Sequence, residues 1–95
     1  MSDQTHTPEQ AETLLEFPCI FPLKVMGITH PEFVSSILTA IQEHAPNTTE
    51  AHVTTRPSSK GNYTGATIKI EATSKAQLDN IYRILTSHEM VKVVY

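Results

Sequence analysis

The stretch Tyr63-Thr-Gly-Ala-Thr-Ile-Lys-Ile-Glu-Ala72 alternates without a break. Thr64, Ala66, Ile68, Ile70 and Ala72 fall on one side, and Tyr63, Gly65, Thr67, Lys69 and Glu71 on the other. A period of two over that length predicts a β-strand with one face buried and one uncovered. Just upstream, Ser58-Ser-Lys-Gly-Asn62 is rich in turn formers, and Gly61 can take positive φ. The economical link is a hairpin to a preceding strand, Ala51 to Arg56, closed by Pro57.

Working outward, Ser74-Lys-Ala-Gln77 offers a capping box, and Leu78, Ile81, Tyr82 and Leu85 follow as the apolar stripe of a helix. Val91 to Tyr95 reads as a last strand. On the N-terminal side, Ile20 to Met26 reads as a first strand with Phe21, Leu23 and Val25 inward. Gly27 ends it, and Pro22 delays full pairing until Leu23. Thr29-His-Pro-Glu32 has the spacing of another capping box. Phe33, Val34, Ile37, Leu38, Ile41 and Ala45 then recur at helical steps until Pro46 stops the helix. The order is β-α-β-β-α-β. It predicts a ferredoxin-like α+β sandwich, a four-stranded antiparallel-type sheet with both helices on one face. Within it, strands one and three are expected to run parallel through a right-handed crossover. The uncovered face should carry Lys24, Met26, Tyr63, Gly65, Thr67, Lys69, Glu71, Lys92 and Val94.

At 95 residues the chain has room for one domain. Residues 1–14 read as a poorly ordered polar tail and 15–95 as the domain, with Leu14, Leu15 and Phe17 available to dock a helical turn over Ala11 to Phe17. Ten acids oppose seven Lys and Arg, but Asp3, Glu9, Glu12 and Glu16 crowd the first sixteen residues, which hold no base. The remainder is close to neutral. Neither part supplies the clustered cations that nucleic acid or anionic membrane demands. Cys19 is the only cysteine, so an internal disulfide is excluded and a reducing compartment is the simpler setting. Without a signal-peptide pattern or a long apolar run, the expected location is the cytoplasm.

Glu16-Phe-Pro, Lys24-Val-Met-Gly27, His44-Ala-Pro46 and above all Pro57-Ser-Ser-Lys-Gly-Asn-Tyr63 resemble the YbeD-like family of small bacterial proteins of unassigned function. The resemblance covers about Leu15 to Tyr95. It implies a ferredoxin-like fold akin to the ACT domains that sense amino acids in metabolic enzymes, and the label of a lipoate-linked regulatory protein. Cys19-Ile-Phe-Pro22 departs from the polar and aromatic residues with which that family's first strand begins.

Three binding places follow. Ser58, Ser59, Lys60, Gly61 and Asn62 present hydroxyls, an ammonium and successive amides that can nest an anion, although a plain hairpin tip would look the same. Gly27 and Thr29 lie in the first strand-to-helix loop, where ACT-like domains hold small amino acids; simple turn chemistry is the alternative. On the open face, Lys24, Arg56 or Lys69 beside Met26 and Tyr63 offers a cation and an apolar track to a lipoate-like acid; Thr67 lies among them, and the same residues also make an ordinary sheet face. A partner strand added to the second strand at the sheet edge, with Thr54 to Arg56 supplying side-chain contacts, is a further reading.

Catalysis has little support. Cys19 sits in a Pro-flanked apolar segment, where cysteine usually packs. His6, His30, His44, His52 and His88 show no metal-ligand spacing, and no cofactor is called for. An enzyme would have to be built from Cys19, Lys60 or His52. The RNA-recognition signature begins at Lys60-Gly61 but fails where Asn62 and Thr64 replace its aromatics. The expectation is a non-catalytic regulatory or adaptor domain for a small carboxylate metabolite or a metabolic enzyme, with homodimerisation through helices or sheet. A pure protein-interaction module is the alternative.

Overall fold

The computed structural model describes residues 16–95. The expected tail and residues 11–15 of the expected helical turn over Ala11 to Phe17 lie outside the described residues, while Glu16 and Phe17, which are described, are not helical. Strand β1 spans Cys19–Ile28, helix α1 Phe33–Gln42, a single 3-10 turn Glu50–His52, β2 Val53–Pro57, β3 Tyr63–Ala72, α2 Lys75–Thr86 and β4 Val91–Val94. The strands form one sheet in the order β2-β3-β1-β4, which is the ferredoxin-like α+β arrangement.

Every pairing in this sheet is antiparallel, which corrects the parallel relation expected of β1 and β3. The reason is a matter of reversals. One helix brings the chain back so that β2 runs with β1; the hairpin then turns β3 against both, and β3 inserts between them. The core lies between this sheet and the helices. Leu23, Val25, Ala66, Ile68, Ile70 and Ala72 rise from the strands to meet Phe33, Ile37, Leu38, Ile41, Leu78, Ile81 and Leu85, all buried.

Strand β1 is longer than its sequence suggests. It pairs with β3 from Cys19↔Ala72 through Ile28↔Tyr63, Pro22 included. Lys24 exchanges both backbone hydrogen bonds with Tyr95, at 3.1 and 2.8 Å, so its peptide groups face β4. Two residues earlier, Pro22 faces the same side, where no β4 residue is registered. Its missing N–H therefore costs the ladder nothing. Gly27 does not end the strand either. It is buried within it, and a Cβ there would overlap the Phe33 ring and the Met90 carbonyl.

Thr29 does not cap α1. Its hydroxyl lies 2.9 Å from that of Thr64, and its amide donates to the Asn62 carbonyl at 3.3 Å. The helix starts beyond Pro31 because His30, preceding proline, is steered away from αR. The His30 ring nitrogen accepts from the Glu32 amide, the His30 carbonyl accepts from the Phe33 amide, and the Glu32 side chain makes no cap. The helix closes at Gln42, short of Pro46.

A complete capping box does exist, at Thr49 and His52. Thr49 accepts from the Ala51 amide, and the His52 ring accepts from the Thr49 amide at 2.9 Å. The resulting 3-10 turn takes the residues assigned to the start of β2, which therefore begins at Val53. At α2, Ser74 accepts from the Gln77 amide at 3.1 Å as expected, but the Gln77 carboxamide oxygen accepts from Thr73 at 2.7 Å rather than from Ser74. Its nitrogen donates to His44 at 2.8 Å and to Glu71 at 3.4 Å, which ties the α1–β2 loop to the end of β3.

Candidate functional site

The register places side chains on the uncovered face row by row. Tyr95, Lys24, Thr67 and Thr54 cross the sheet in one row. Val93, Met26, Gly65 and Arg56 form the next. Ile28 with Tyr63, Pro22 with Lys69 and Ile20 with Glu71 complete the face.

One member of the expected face moves. The β1–β4 register shifts between Met26 and Gly27, so Val94 opposes buried Val25 and packs against the core. Val93 takes the outward place opposite Met26 and is 43% exposed. Lys92, left over at the bulge, is exposed. A bulge of one residue reverses the alternation that carried the original assignment.

Ile20, Tyr63, Val93 and Tyr95 are the large exposed hydrophobic residues among those described, and all four stand on this face. Between Tyr63 and Tyr95 lies a shallow groove of about 540 Å³ that also involves Lys24, Met26, Thr54, Arg56, Gly65 and Thr67. Gly65 lies at its floor, opposite Met26 on one side and Arg56 on the other. Lys24, Arg56 and Lys69 project from the face against a single acid, Glu71. None of the three has a carboxylate within ion-pair distance among the described residues.

The other two sequence-derived sites come together at the end of this sheet, because the Thr29 amide bonds to the Asn62 carbonyl. Their polar groups are largely engaged in holding the turn. Gly61, at φ 76°, donates to the Ser58 carbonyl at 3.0 Å; Ser58 donates to Tyr63 at 2.8 Å and accepts from the Tyr63 amide through its hydroxyl at 3.2 Å. Ser59, Lys60 and Asn62 are exposed at the tip. At Gly27 the space a side chain would fill is taken by Phe33.

A second cleft, of about 570 Å³, opens at the opposite end of the sheet, where His44 to Thr48 and His52 face Ile20, Lys69 and Glu71. Sequence reasoning missed it because it depends on the early 3-10 turn. The buried Thr48 carbonyl, held by Gln42 at 2.8 Å, anchors one wall. Cys19 is half-buried at the start of β1. Among the described residues no group of three His, Cys, Asp or Glu side chains is placed to hold a metal, and no helix is long and apolar enough to cross a membrane.

Residues 12–95 match the model of a family described as "Protein of unknown function (DUF493)". The chain belongs to this family. It is 62% identical over 86 residues to a UPF0250 protein of Neisseria gonorrhoeae, covering 90% of this chain and 94% of that protein. It is 55% identical over 83 residues to a UPF0250 protein of Paraburkholderia phytofirmans, covering 87% and 93%. A UPF0250 protein of Janthinobacterium is 48% identical over 86 residues. Membership of this small bacterial family agrees with the YbeD-like resemblance in the Pro57 to Tyr63 turn, and the match extends over both helices and the whole sheet.

Proposed function

We propose that this DUF493 domain is a non-catalytic regulatory or adaptor module that binds a partner protein, such as a metabolic enzyme, on its uncovered sheet face. The observation that supports this reading is the gathering, among the described residues, of the large exposed apolar side chains on one face, with three cations that have no ion-pair partner among those residues. Scattered exposed apolar residues are normal for any protein surface, whereas a contiguous set rimmed by polar groups marks contact surfaces. Among the described residues the grooves are shallow, and the hydroxyl that stands beside an imidazole, Thr49 Oγ1 at 3.3 Å from His52 Nδ1, belongs to the capping box of the 3-10 turn, which supports a non-catalytic reading.

Lys24 and Arg56 beside the 540 Å³ groove favour one second reading, ACT-like sensing of a small carboxylate such as an amino acid or a lipoate-like acid. The cytoplasm is the proposed setting for either.

Native mass spectrometry of the protein isolated from its own cells tests the proposal. Wild type and a helix-side control, Glu43→Ala, should retain the same associated chain at fixed stoichiometry. The pair Tyr63→Ser with Tyr95→Ser should keep its circular dichroism spectrum and lose that chain. Retention by the double variant would place the contact elsewhere. A bare wild-type protein whose melting temperature rises with a carboxylate panel would favour the second reading, and one that does neither would defeat both.

A further inference from the structure

We infer that Gly65 is kept small to leave a hollow for one apolar anchor of an acidic partner segment, with Lys24 and Arg56 receiving the flanking carboxylates. The inference rests on the face-binding reading above and names the partner's chemistry.

The fold itself does not ask for glycine at this position. Gly65 lies in mid-strand, it is not among the residues with positive φ, and a Cβ built on it would sit 3.6 Å from the Arg56 carbonyl in ordinary contact. Glycine in a strand interior weakens the strand and often marks the approach of another molecule. Here its consequence is visible. Gly65 puts no side chain on the middle of the face where the Met26, Gly65 and Arg56 row crosses β3, and the groove there is also lined by Tyr63 and Tyr95. That shape accepts a Leu or Phe side chain with aromatic walls around it.

Charge selects the rest of the occupant. Lys24 and Arg56 lie in adjacent rows beside the hollow, and Lys69 extends the same sign along the face. A second copy meeting face to face would set these cations against themselves, which disfavours a homodimer through the sheet. Nucleic acid fits less well than peptide: three cations bounded by Glu71 in the row beyond Lys69 make a short positive track, and Asn62 and Thr64 stand where a stacking module needs aromatics. Carboxylates flanking an apolar residue satisfy both features.

The test uses the full-length ¹⁵N-labelled chain and a short capped peptide of aspartate and glutamate around one central phenylalanine. Companion peptides replace the phenylalanine with alanine or the acids with lysine; single-stranded RNA is a further probe. Titration should move the amide signals of Lys24, Arg56, Gly65 and Thr67, with affinity lower in high salt. The alanine peptide and the protein variant Gly65→Val should each weaken binding at least about tenfold. Lys24→Glu with Arg56→Glu should reject the acidic peptide and accept the lysine one.

Acidic-peptide binding unaffected by Gly65→Val, a preference for the RNA, or a solution dimer dissolved by Gly65→Val would each overturn the inference. If the associated chain is lost in Tyr63→Ser with Tyr95→Ser yet persists in Gly65→Val and the charge-reversed protein, the hollow fails while the face-binding reading survives. If the tyrosine pair retains that chain, the reading itself fails.

Discussion

Gly27 and Gly65 occupy adjacent strands and mean opposite things. At Gly27 the absent side chain is replaced by the Phe33 ring, and the Met90 carbonyl closes the other side, so the gap is consumed by the fold's own packing. At Gly65 no described side chain comes within 4 Å of the missing Cβ, only the Arg56 carbonyl at 3.6 Å, and the gap opens outward into the groove that Tyr63 and Tyr95 also line. The first glycine lets a helix approach its sheet; the second leaves a hollow on the face that neither described helix covers. The contrast extends to the two faces themselves. One is sealed by interlocking aliphatic residues, while the other holds exposed aromatics and cations with no ion-pair partner among the described residues.

Changing Gly27 should break the comparison most severely. Gly27→Ala drives a methyl group into a ring and a carbonyl that cannot both retreat, and the expected loss of stability is ~3 kcal/mol or more by urea denaturation. Phe33→Leu added to Gly27→Ala should recover part of that loss, because the two positions compete for one space. Purely additive effects would show that they do not.

In the sealed layer, Ile81→Ala removes a fully buried side chain between α2 and the sheet. About 2–5 kcal/mol of destabilisation is expected, read as a lower denaturation midpoint at unchanged slope. A smaller step follows at the rim. Gln77→Glu keeps the oxygen that accepts from Thr73 but removes the nitrogen that donates to the His44 and Glu71 carbonyls. The expected cost is ~1–3 kcal/mol, with faster amide exchange around Thr48 as the local sign.

On the open side the expected effects on stability are small and in one case reversed. Gly65→Val should leave the melting temperature unchanged or raise it, within ~1 kcal/mol, since a β-branched residue suits a strand. Lys24→Glu and Arg56→Glu should each stay within about 0.5 kcal/mol, as exposed substitutions do where, as here, no ion-pair partner stands among the described residues. If Gly65→Val proved as damaging as Gly27→Ala, the distinction between the two glycines would collapse.

Much of this was legible in the chain. The alternation of residues 63–72 delivered β3 with its bounds and its buried side, and the stripes beginning at Phe33 and Leu78 delivered both helices. The T-x-x-E pattern at Thr29 misled because Pro31 and the nearby Thr64 hydroxyl compete for the same groups. The working box at Thr49 went unseen because histidine serves where glutamate or glutamine is usual. Val94 was placed outward by faithful alternation, and a bulge overruled it. As for the site, the residues of the open face were readable from β3, but the hollow at Gly65 was not, since a glycine in sequence does not tell what fills its space.

By itself the sequence determined which segments become strands and helices and which side of each is apolar, because periods of 2 and 3.6 are local and survive without knowledge of neighbours. Only the tertiary structure decided the direction of β1 against β3, the residue displaced by the bulge, and which glycine is packed and which is open. Each of those depends on atoms brought together from distant parts of the chain, and no local period records their arrival.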